Sequence, residues 1–229
     1  MRLLDPLLVV AVYIYVFGII FIGETLRRRG FSTGITRKLI HLFAGCSIIL
    51  LPFFSHWIWP SLIPIGMLIV VVYAFTKLKE SPLTTSMVEK GDVAAHAYGP
   101  AYYIASILIM VIAFWSKQVV AIMATFMMAW GDGSAAVVAS KLKKRHVYLS
   151  DRSVEGSIAV FIFSLIGALF SSTIYNMITH TYPMSQLVTA SLIGAVVATI
   201  VEALSIGPLR HFDNFTLPLI TSAVLYTIL

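Results

Sequence analysis

Gln118-Val-Val-Ala-Ile-Met-Ala-Thr-Phe-Met-Met-Ala-Trp130 is a run of thirteen residues without a charge, and Gly131-Asp132-Gly133-Ser134 follows it directly. The run reads as the middle of a bilayer-spanning helix. A lone carboxylate at that depth costs about 2.5–3.5 kcal/mol or more, so Asp132 calls for a partner, a metal or a water-filled cavity. Downstream stand Lys141, Lys143, Lys144 and Arg145, then Asp151, Arg152 and Glu155 at the start of another apolar stretch. An acid, a block of cations and a second acid in that order suit a magnesium-bound polyphosphate.

The rest of the chain has the same character. Of its 229 residues 59% are hydrophobic and 11% charged, with a mean hydropathy of +0.93, which excludes a soluble domain of this size. The expected fold class is all-α, a polytopic integral membrane protein forming one domain over residues 1–229. Apolar runs of spanning length fall at 4–23, 39–56, 57–75, 98–115, 118–139, 156–178, 186–206 and 214–229, giving about eight transmembrane helices. Pro52 interrupts the second, and the last is short and holds Pro218. The single cysteine, Cys46, excludes a disulfide framework or a cysteine-based metal cluster, and reads as a small packed residue.

Charge gives an independent check. With eight helices, fourteen of the sixteen Lys and Arg residues fall on one side, leaving Arg2 and Lys117 opposite. Cations gather on the cytoplasmic side of membrane proteins, so both termini are expected to be extracytoplasmic. Nine of the ten acids approach the same face, Asp5 being the exception. Acids do not obey the topological rule, so their bias points to chemistry on the cytoplasmic face. A channel would carry polar groups along its whole length.

Three further clusters carry candidate chemistry. Arg37, Lys38 and His41 share one helical face, with Gly45 continuing the ridge, and two cations at a helix start can hold phosphate oxygens. The alternative for Arg37 and Lys38 is snorkelling to headgroups. Arg152 and Glu155 lie three apart and suit either an ion pair or a phosphate clamp with a metal-orienting acid. Glu202 is a second membrane-embedded acid, and Asp213-Asn214 open the last helix, where an acid also serves as a simple cap. For Asp132 the structural alternative is a salt bridge to a neighbouring helix. No phosphate-binding Gly-rich motif and no paired zinc-ligand spacing occurs.

Taken together, Arg37-Lys38-x-x-His41-x-x-x-Gly45, Gly131-Asp132-Gly133-x-Ala135, Arg152-Ser153-x-Glu155-Gly156-Ser157, Val201-Glu202 and Asp213-Asn214 with Pro218 resemble the membrane-bound polyprenol kinases. That family includes phytol, farnesol and dolichol kinases. It is related to CTP-dependent diacylglycerol kinases and, more distantly, to phosphatidate cytidylyltransferases. Two departures stand out: Ala139-Ser140 where the family often has glycine, and Arg152 where it often has lysine. The resemblance implies transfer of the terminal phosphoryl of a nucleotide, CTP in the family, to the hydroxyl of a membrane-embedded isoprenoid alcohol, with Mg²⁺ as cofactor.

On that reading the catalytic residues are Asp132, His41 and Asp213. Arg37, Lys38, Lys141, Arg152, Ser153 and Asn214 bind nucleotide and phosphate, and Asp132, Glu155 and Glu202 hold metal. The expected partners are CTP, the alcohol and the bilayer, with no nucleic acid. The expected location is a prokaryotic plasma membrane, since no transit-like segment precedes the first helix, with the site facing the cytoplasm. The rival readings are a CDP-lipid synthase, a CTP-dependent diacylglycerol kinase and a transporter.

Overall fold

The computed structural model describes residues 4–78, 81, 84, 98–134, 137–138, 146–149, 152–206 and 212–229. Eight helical segments appear among them. They are α1 (Leu4–Arg28), α2 (Thr33–Gly45, running into a 3₁₀ stretch Cys46–Phe53), α3 (Ile58–Lys77) and α4 (Tyr98–Ala113). Next come α5 (Gln118–Phe126, continuing as a π-turn Met127–Asp132), α6 (Val154–Thr179), α7 (Met184–Leu204) and α8 (Asp213–Ile228). A two-stranded hairpin, β1 (Val147–Leu149) and β2 (Arg152–Ser153), precedes α6.

This is an all-α integral membrane protein. Five segments among the described residues are long and apolar enough to cross a bilayer, or six if the bent pair formed by α4 and α5 is one span. The expected figure of eight matches the helical segments and exceeds that count of spans. α4 and α5 qualify as a span only together, with an 82° bend between them, and α8 has sixteen residues. On α1 the residues Leu7, Val10, Ile14, Phe17 and Phe21 are exposed at helical spacing, a stripe only lipid would accommodate.

α5 is the post around which the others stand. Every residue from Val119 to Ala129 is buried, as expected for a helix apolar on all sides. Between lipid-embedded helices there is no hydrophobic drive, so close packing of small residues supplies the contact. The buried stripe Ser164, Gly167, Ala168, Ser171 and Ser172 on α6 serves this purpose, as does Ala190, Gly194 and Ala198 on α7. A Cβ on Gly131 would collide with Ser164 Oγ, and Ser164 itself donates to the Met127 carbonyl at 3.1 Å. Gly131 is therefore spent on helix contact. Gly45 is similarly constrained, because a Cβ there would collide with Tyr103 Oη and stand 2.8 Å from Ala129 Cβ. Gly45→Leu is expected to cost about 1–3 kcal/mol through overpacking, read as a lowered melting temperature in detergent.

Candidate active site

The stripe spacing that packs the helices also aims the acids. Glu202 follows Ala190, Gly194 and Ala198 in steps of four, so the face that α7 turns to the bundle ends in a carboxylate, 4% exposed. The same holds on α2, where Thr36, Ile40, His41 and Gly45 are buried and Lys38 lies a turn before His41. Asp132 ends the π-turn of α5 and is 9% exposed.

These groups meet at one end of the bundle. The Lys38 ammonium donates to Asp132 Oδ2 in a largely buried ion pair, the helix-to-helix salt bridge named as the alternative for this acid. Among the described residues, Asp132 Oδ1 accepts no hydrogen bond. Arg152 Nη1 pairs with Glu202 Oε1, and its Nη2 donates to the Ser205 carbonyl at 2.7 Å. Arg37 and His41 lie within electrostatic reach of Asp132, Glu202 is within reach of Asp132 and Lys38, and Asp213 is within reach of Asp132, Lys38 and Arg152. Arg37 makes no ion pair within the described residues. Burial sharpens these interactions, because charge screening falls as water is excluded.

Other candidates stand elsewhere or are otherwise engaged. Glu155 is held by the His146 backbone N–H at 3.1 Å and by its ring Nδ1 at 2.5 Å, on the exposed side of the hairpin. Ser153 is the N-cap of α6, accepting the Gly156 N–H at 3.2 Å. Asp213 Oδ1 accepts the Asn214 backbone N–H at 2.7 Å at the start of α8. Lys141 lies outside the described residues. No group of three or more His, Cys, Asp and Glu side chains among the described residues is arranged to hold a metal on protein ligands alone.

One contributor was not anticipated. Tyr103 on α4 stacks on His41 with ring centroids 4.3 Å apart, and its hydroxyl donates to the His41 carbonyl at 2.6 Å. Both ring nitrogens of His41 are buried without a hydrogen-bond partner among the described residues. The pairing of a site histidine with a tyrosine sixty-two residues away leaves no local signature, since it depends on how α2 meets α4.

A helical membrane protein with a sunken, ion-paired carboxylate centre at one end is the class these features define. No family model matches the chain, and no solved structure does. It is similar to a protein named probable phytol kinase 3, chloroplastic, of Glycine max, at 32% identity over 86% of this chain and 63% of that one. Phytol kinase 1, chloroplastic, of Arabidopsis thaliana is 26% identical over 92% of this chain and 72% of its own length. Farnesol kinase, chloroplastic, of Arabidopsis thaliana is 26% identical over 89% of this chain and 68% of its own length. The chain thus spans about two thirds of the length of these relatives. It is a homologue of the phytol and farnesol kinases. The relatives are named as chloroplastic proteins, so they lend no support to a prokaryotic plasma membrane.

Proposed function

We propose that this chain is a prenyl-alcohol kinase that moves the terminal phosphoryl of CTP onto a membrane-embedded isoprenoid alcohol at the cytoplasmic face. The observation that carries the reading is the convergence of Asp132, Lys38, Arg37, Arg152, Glu202 and Asp213 at one end of the bundle. The names of the relatives, phytol kinase and farnesol kinase, support the acceptor class.

Phosphoryl transfer asks little covalent work of a protein; it needs positioning and neutralised charge. The alcohol oxygen bonds to the terminal phosphorus, the bridging P–O bond breaks, CDP leaves, and the hydroxyl proton passes to His41 or Asp213. Arg37, free of protein ion pairs among the described residues, and Lys38 face the phosphates. Arg152 holds Glu202 in place so that neither is buried uncompensated.

The residues fit Mg²⁺ brought in with the nucleotide, because Asp132 Oδ1 is open among the described residues and this ion is normally held by one or two carboxylates plus substrate phosphates. Asp132 would hold it with Asp213 assisting, and bound there it would neutralise charge on the transferring phosphoryl. Glu202 and Glu155, named with Asp132 as metal ligands, are engaged by Arg152 and His146.

The test is to incubate purified protein with γ-labelled CTP, ATP, GTP or UTP and a panel of prenols and diacylglycerol. The expected result is label in a prenyl monophosphate, CTP being the best donor and CDP the coproduct. Release of pyrophosphate with a CDP-lipid, or label in no alcohol, would overturn the reading.

A further inference from the structure

His41 belongs to two environments at once. One turn before it, Lys38 joins the charged centre; beside it, the imidazole walls a cavity of about 570 Å³, counting its open mouth, between α1, α2, α3 and α4. Apart from His41, Tyr103 and Ser47, the lining is apolar.

The long axis of the cavity follows from the helix contacts. Asp5 at the start of α1 accepts from Ser55, between α2 and α3, while further along α1 Tyr13 donates to the Leu62 carbonyl at 2.8 Å and Gly23 lies against Ile40 of α2, so α1 and α3 run in the same direction and α2 runs against them. His41 is then level with Ile20 and Val71. Ser47, six residues further along α2, is level with Ile63 at the other end. Ile63, Met67 and Val71 ladder one face of α3 over eight residues, about 12 Å of helix. The cavity is thus a slot with an imidazole beside the charged centre at one end and aliphatic side chains at the other.

A buried histidine with both nitrogens unpartnered among the described residues is costly unless something arrives to bond it. A hydroxyl on a single branched apolar chain matches both halves of this slot. We propose that the slot seats the tail of the acceptor alcohol, with its hydroxyl on His41, and that Ile63 and Ser47 limit the length of tail accepted. This rests on the kinase reading for the identity of the occupant, and the two are separable by experiment.

In bilayer nanodiscs, a geranylgeraniol analogue bearing a diazirine near its tail end is irradiated on the full chain, and the labelled peptides are mapped. Label is expected on the α3 face carrying Ile63 and Met67, suppressed by excess geranylgeraniol. Label spread over outward residues such as Ile193 and Val196 of α7, without competition, overturns the slot. In parallel, Ile63→Trp is expected to lower the ratio of geranylgeraniol to geraniol turnover, as kcat/KM, by about tenfold or more, and Ile63→Ala to raise it. An unchanged ratio in both variants also overturns the slot. If Ile63→Trp fails to fold, Ile63→Ala and the labelling map still decide. Competed labelling in the slot with no phosphorylation of any prenol sinks the kinase reading and leaves the slot standing; phosphorylation with label elsewhere does the reverse.

Discussion

Replacing Asp132 by Asn is expected to lower phosphoryl transfer roughly 10³-fold, the scale seen when one preorganised electrostatic group facing a developing charge is removed. The substitution keeps the shape of the side chain and removes only its charge. On the proposed reading it takes away the carboxylate charge that would hold Mg²⁺, and it leaves the Lys38 ammonium, 14% exposed at its side chain, without its counter-charge. A loss of fold is separated from a loss of chemistry by adding Lys38→Met. The double variant should regain much of the melting temperature in detergent and none of the transfer. Full CTP-dependent activity in Asp132→Asn would remove this acid from the mechanism.

Arg152→Met is expected to cost about 3–5 kcal/mol of stability, because breaking a buried pair strands its partner. Arg152 serves two acceptors at once: the Glu202 carboxylate and the carbonyl of Ser205, which closes α7. Its loss would leave both without this donor, and the Glu202 carboxylate is only 4% exposed. Arg152→Met with Glu202→Leu removes the stranded charge and should recover most of the melting temperature. Thermal unfolding of the two variants side by side checks this. Equal melting temperatures for wild type and Arg152→Met would show that the pair is solvated.

Much of the architecture was legible because the bilayer imposes a length and a composition on every helix. Each of the eight apolar runs overlaps a helical segment, although only five or six spans are long and apolar enough among the described residues, and Glu202 and Asp132 stood out because charge among apolar residues demands explanation. Gly131 touches Ser164 of α6, a contact that a small residue allows where two helices approach closely. The metal role considered for Glu155 was less legible, since its hydrogen bonds to His146 depend on the turn of a short hairpin.

The sequence alone determined that this chain lives in a membrane, where its helices run, and which charged side chains must find partners. Those follow from transfer free energies summed over contiguous residues. Only the tertiary structure decided which partners they find: Lys38 with Asp132, Arg152 with Glu202, and His41 under Tyr103 at the head of an apolar slot. Such pairings join residues fifty to ninety-four positions apart. They are fixed by how small-residue faces pack helix on helix, a choice made by the whole bundle rather than by any stretch of chain.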